Sequence, residues 1–63
     1  MSRNERRAAQ ESLQRLGYYA GKVDGEFRTD TRTAIRRYQR EIGEETTGHL
    51  TAEQIKRLAH RWR

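Results

Sequence analysis

Apolar residues return at helical spacing in three separate stretches of the 63-residue chain. In the first, Ala9, Leu13 and Leu16 fall at i, i+4 and i+7, one face of a helix. The stripe thins toward the N-terminus, where Arg6 stands one turn earlier. Ser2 with Glu5 three residues on makes a capping box, so this helix is expected over about residues 3–16, with Gly17 as the left-handed residue that ends it. In the second stretch Thr31, Ile35, Tyr38 and Ile42 share a face, with Ala34 beside them, while Arg32, Arg36 and Arg40 take the opposite, wet side. Thr29 or Asp30 is the expected N-cap and Gly43 the stop, which gives a helix near 30–42. In the third, Thr51 and Gln54 form a second capping box ahead of Ile55, Leu58, Ala59 and Trp62, a helix near 51–62. No proline interrupts any of the three.

The first two helices are joined by "GYYAGKVDGEF", residues 17–27. Asp24-Gly25 is a two-residue turn signal, yet an isolated two-stranded hairpin is marginal in water. The segment is therefore read as an ordered loop. Gly17, Gly21 and Gly25 set its backbone, and Val23 and Phe27 dip into the core as anchors. Gly25 is expected at positive φ, and Asp24 is expected to bond the backbone two residues on. Tyr18 and Tyr19 are consecutive and cannot both point inward; the ring of Tyr19 is expected to face out. A faint internal repeat runs through the chain: Leu16-Gly17, Gly25-Glu26-Phe27, Thr31 and Ile35 recur as Ile42-Gly43, Gly48-His49-Leu50, Thr51 and Ile55. The fold expected is all-α, a compact three-helix bundle in one domain, residues 1–63, with a long ordered loop between the first two helices.

Composition narrows what such a bundle can do. Only 32% of residues are hydrophobic and 37% are charged, so the core is thin. With no cysteine there is no disulfide, and His49 and His60 alone supply no structural zinc ligand set, so neither metal nor cofactor is expected. No apolar run is long enough for membrane insertion and no export signal is visible. If the domain works in the cell envelope, the signal belongs to a larger parent chain; otherwise the location is cytoplasmic. Of the fourteen basic residues all but Lys22 and Lys56 are arginine, and the formal net charge is +5. A solvated, arginine-rich surface explains that charge, and attraction to an anionic polymer is the alternative. The long first connection is not the three-to-four-residue turn of a helix-turn-helix reader, which argues against sequence-specific nucleic acid. Ser2 reads as a cap and Ser12 as mid-helix, with no histidine placed to activate either, and no environment is implied that would turn a carboxylate into a general acid. The chain is read as a non-enzyme.

The ordered set "LQRLGYYAGKVDGEF" (residues 13–27), then Thr31, Ala34-Ile35 and Tyr38-Gln39, then "TGHLT" (residues 47–51), closely resembles the small peptidoglycan-binding domain of bacterial cell-wall hydrolases. The resemblance covers about residues 6–60. It implies a three-helix bundle with an internal pseudo-repeat, and a non-catalytic module that holds a larger protein on peptidoglycan. Three positions depart from the family pattern. Arg28 stands where glycine is usual, Arg6 and Ala9 where large aliphatics are usual, and Glu44 and Glu45 where an aliphatic often follows Gly43. The last two thin the core, and the first alters the loop that would border a ligand. A pyranose has a C–H face and a hydroxyl rim, so a flat ring beside hydrogen-bonding groups is the chemistry to look for. Tyr19, Asp24, Arg28 and Arg32 could supply it around one loop, as a site for peptidoglycan or muropeptides. Gln39 is expected to brace a loop rather than meet ligand. The rival reading is a protein-interaction or structural module of the same fold that has lost the glycan.

Overall fold

The computed structural model of the protein describes residues 1–61, with side chains described as far as residue 59. Three helices follow one another: α1 (Arg3–Arg15), α2 (Thr29–Glu41) and α3 (Ala52–Arg61). There is no strand among the described residues, so the first connection is a loop without paired segments. Helix α1 packs against both α2 and α3.

Each helix end has a local cause. At the start of α1 the Glu5 N–H donates to Ser2 Oγ (3.1 Å) and the Ser2 N–H to Glu5 Oε1 (2.7 Å), the reciprocal box read from the sequence. Thr51 and Gln54 repeat it ahead of α3, with both bonds at 3.1 Å. Helix α2 differs from expectation. It begins one residue early, and its N-cap is Arg28 in extended backbone with no side-chain cap bond. The C-termini of α1 and α2 are built alike. Gly17 and Gly43 take φ of 88° and 75°, and the N–H of the following Tyr18 or Glu44 reaches back to the carbonyl of Leu13 or Gln39 (2.9 Å each). The Gly17 and Gly43 N–H groups close the inner bond on Gln14 and Arg40. These are two Schellman closures, which answer carbonyls the helices would otherwise leave open.

The core is Ala9, Leu13, Tyr19, Ala34, Ile35, Tyr38 and Leu58, with Leu16, Tyr18, Val23, Phe27, Ile42 and Leu50 half-buried around it. The inward face of α2 is the expected one, extended by Gln39. On α3 only Leu58 of the expected stripe is buried; Ile55 is half-buried and Ala59 exposed, and Trp62 lies outside the described residues. Arg36 and Arg32 are half-buried rather than fully wet, because their stems lie along the second loop, which brings Arg36 Cγ and Nη1 close to Gly48.

The internal repeat is real in space: the glycine turns and the two helix ends pair as read in the sequence, and the register is corrected only at the helices that follow. One constant offset carries Asp24, Gly25, Glu26 and Thr31 onto Thr47, Gly48, His49 and Gln54. It also carries Ile35 onto Leu58, rather than Thr31 and Ile35 onto Thr51 and Ile55. Both Ile35 and Leu58 are almost wholly buried, and Gly25 and Gly48 share φ of 84° and 83°.

Candidate binding surface

The two loops are each held by one buried glutamine. Gln10, wholly buried on α1, accepts from the N–H groups of Asp24 (3.0 Å) and Gly25 (2.7 Å) through Oε1. Its Nε2 donates to the Glu26 carbonyl (2.9 Å) and to Thr31 Oγ1 (3.1 Å). Gln39, wholly buried on α2, repeats this at the second loop. Its Oε1 accepts from Thr47 (2.9 Å) and Gly48 (3.0 Å), and its Nε2 donates to the His49 carbonyl (2.7 Å) and Gln54 Oε1 (3.1 Å). An amide is the one neutral side chain that offers two acceptor lone pairs and two donors in a plane, so each glutamine satisfies a whole turn of backbone at once. Gln39 braces a loop as expected. Gln10 was not singled out in the sequence; the signal available was a glutamine one turn before Leu13, on the buried side of an otherwise apolar stripe.

Further bonds fasten the first loop to α1. Arg6 Nε donates to the Gly25 carbonyl (2.6 Å) and Arg3 Nε to the Asp24 carbonyl (3.4 Å). Arg6, where the resemblance leads one to expect an aliphatic, thus bonds the loop backbone. A Cβ added at Gly25 would come within 2.7 Å of Arg3 Cγ, so close approach as well as positive φ requires glycine there. Gly21 has ordinary φ, but a Cβ on it would meet Asp30 Oδ2 at 2.6 Å and the Tyr19 hydroxyl oxygen at 2.7 Å. Val23 and Phe27 are the half-buried anchors expected.

Asp24 does what its position suggested. Oδ1 accepts from the Glu26 N–H (2.9 Å), and Oδ2 pairs with Arg28 Nη1 (2.9 Å). The Glu26 N–H first, and the Arg28 guanidinium second, hold the carboxyl at a pKa of about 2. Arg28, exposed at the loop edge, is pushed further toward its charged form by the same pair. The expected outward ring is where the sequence reading fails. Tyr19 is only 6% exposed, and its hydroxyl donates to the Lys22 carbonyl at 2.6 Å. The ring fills the space under its own loop, so it offers no face to a sugar. Tyr18 is the half-buried partner: it meets Tyr38 edge-on (centroids 5.9 Å, 70°), and the Arg37 guanidinium lies 5.8 Å from its ring centre. No aromatic side chain is exposed among the described residues.

Arg32 stands on the second loop instead of beside Tyr19. Its Nη1 donates to the Gly48 carbonyl (3.1 Å) and to His49 Nδ1 (2.9 Å). The four residues expected around one loop thus divide. Asp24 and Arg28 form a pair on the first loop, Arg32 joins the second, and Tyr19 is interior. A shallow groove of about 190 Å³ also runs between α1 and α3, lined by Ala8, Ala9, Ser12, Ile55 and Leu58 among others. Among the described residues no three metal-ligating side chains gather, and no helix is long and apolar enough to cross a membrane.

Two stapled loops, with arginine side chains beside them, are what mark out this end of the small helical bundle. The chain belongs to the family described as "Putative peptidoglycan binding domain", whose profile matches residues 2–58. It is also similar to the localization factor PodJL of Caulobacter vibrioides, in two strains, at 45% identity over 51 residues. That match takes in 81% of this chain and 5% of the relatives' length. No solved structure is significantly similar to it.

Proposed function

We propose that the chain is a non-catalytic module that binds bacterial cell-wall peptidoglycan and holds a larger parent protein there, in the cell envelope. The observation that carries this reading is the family match across residues 2–58, which spans both stapled loops and all three helix starts. Geometry supports it. Buried glutamines fix the two loops before any ligand arrives, which lowers the ordering cost of binding. The contact surface proposed is the rim where Arg28 and Arg32 stand, with Asp24 as the residue that shapes it. Neighbouring domains in a parent chain fit a match that occupies only 5% of its relatives.

A protein-interaction module of the same fold is the second reading. The burial of Tyr19 favours it, because that removes the ring a sugar would stack on. Co-sedimentation with purified insoluble peptidoglycan, with chitin and duplex DNA as competitors, separates the two. Retention on peptidoglycan that neither competitor reverses is the expected result. A protein left in the supernatant would hand the case to the second reading.

A further inference from the structure

Helix α2 carries Arg32, Arg36, Arg37 and Arg40 on its outward side, and what surrounds them is unusual in one respect. Three of the four guanidinium groups are positioned by neutral partners. Arg32 is held by the Gly48 carbonyl and His49, Arg36 Nη2 donates to Thr33 Oγ1 (3.3 Å), and Arg37 lies over Tyr18. Arg40 is exposed. Among the described residues the ion pairs are Arg28–Asp24 and Arg57–Glu44, and none involves these four. Part of the side-chain entropy is therefore already spent, while the positive charge stays unneutralised. A set of guanidinium forks in that state is prepared for an anion with planar oxygens.

We infer that this face of α2 takes the free carboxylates of the peptide stems of the cell wall, and that carboxylates rather than sugar rings give the module its grip. The inference rests on the wall-binding reading above and names the part of the polymer recognised. Arg32, Arg36 and Arg40 repeat about 6 Å apart along the helix axis, from a rise of roughly 1.5 Å per residue. An extended peptide repeats every second residue at about 6.6 Å, so carboxylates on such a stem can lie over successive arginines. The sugar alternative lacks its platform, since Tyr19 is interior and Tyr18 is half-buried beneath Arg37. A nucleic-acid duplex fits less well. At 100° per residue Asp30 and Glu41 fall together along one flank of the arginine strip, where a broad polyanion would meet them and a single narrow peptide would not.

The test is an amide-shift titration of the labelled domain with a synthetic stem peptide carrying free carboxylates, and with the same peptide as carboxamides. Co-sedimentation on insoluble peptidoglycan runs alongside. The carboxylate peptide should shift α2 and the Gly48-His49 loop, and the carboxamide form should bind about tenfold more weakly. Arg40→Gln, on an exposed side chain, should weaken peptidoglycan retention several-fold without moving the melting temperature. Arg36→Gln, whose stem packs along the second loop, should weaken retention several-fold while the domain stays folded. Retention unaffected by both substitutions, together with equal binding of the two peptides, overturns the inference and leaves wall binding standing. Absence of retention on peptidoglycan overturns the wall-binding reading itself, and this inference with it. A short DNA duplex that binds the same face more tightly than the carboxylate peptide overturns the inference in favour of phosphate.

Discussion

Replacing Gln10 by alanine should cost this domain about 3 kcal/mol. The substitution leaves four groups without the side chain that serves them: the Asp24 and Gly25 N–H groups, the Glu26 carbonyl and Thr31 Oγ1. Two of these, the Gly25 N–H and Thr31 Oγ1, make buried bonds and are poorly placed to reach water instead. A buried polar group left unsatisfied costs about 1–3 kcal/mol, and a bond to a half-exposed group about 1 kcal/mol or less. Partial rehydration of the loop offsets some of the total. At about 0.05–0.15 kcal/mol per residue, a chain of this length is stable by roughly 3–9 kcal/mol, so the loss is a large share of the whole. Urea denaturation followed at 222 nm measures it, with Gln14→Ala, an exposed neighbour on the same helix, as control. Gln10→Glu adds a second reading. A protonated glutamic acid can accept from both N–H groups and still donate, whereas its carboxylate turns a charge toward the Glu26 carbonyl. Burial and that carbonyl raise the folded-state pKa, so the variant should be most stable below the ordinary carboxylate pKa of about 4.3 and lose stability as pH rises through the folded value. If Gln10→Ala and Gln14→Ala melt within about 0.5 kcal/mol of each other, the glutamine is not what holds the loop.

Asp24 should leave a mark on the acid side of the stability curve. Its folded pKa of about 2 lies below the ordinary carboxylate value, so its contribution is complete above about pH 4 and is lost as pH falls toward 2. Asp24→Asn should flatten that part of a melting-temperature series between pH 5 and 2, and parallel curves for the two proteins would refute the assignment. The corrected repeat register makes a separate prediction on α3. Leu58→Ala should cost about 2–5 kcal/mol as a buried truncation, and Ile55→Ala at least 1 kcal/mol less because its side chain is half-exposed. Equal losses would return the register to the one read from the sequence.

Much of the fold was legible because its signals are local. Ser2 with Glu5 and Thr51 with Gln54 fix helix starts within four residues, and Gly17 and Gly43 fix two ends through a conformation other residues resist. The start of α2 was harder, since Arg28 takes the cap position without a side-chain bond and no residue type announces that. The loop's inward residues were half legible. Val23 and Phe27 can only be anchors in so thin a core, but which of two adjacent tyrosines turns inward depends on the path of the backbone. The carbonyl of Lys22 settles it by taking the Tyr19 hydroxyl. Gln10 was missed for the opposite reason: its value lies wholly in partners 14 to 21 positions away. The repeat register slipped because matching Thr31 to Thr51 pairs residue types. The structure instead pairs roles: Thr31 and Gln54 are both polar side chains that meet a buried glutamine amide.

The arrangement also explains how a chain with so little apolar material can keep two loops in fixed positions. An apolar contact pulls a loop inward but does not choose among nearby backbone paths, because burial is non-directional. A planar amide with two acceptor and two donor directions does choose, since only one path brings two N–H groups and a carbonyl to it together. Gln10 and Gln39 therefore select the loop shape as well as contributing to stability. The departures from the family pattern follow the same logic. Arg6, in place of an aliphatic, adds a bond to the Gly25 carbonyl, and Glu44, in place of an apolar residue after Gly43, accepts from Gln54 Nε2 at 2.9 Å. Each of these side chains makes a directional bond, on the loop or on the residue that meets its clamp. The core grows smaller while the loops stay specified; on the outer face of α2, Arg32 and Arg36 also meet the second loop, while Arg37 and Arg40 stay exposed.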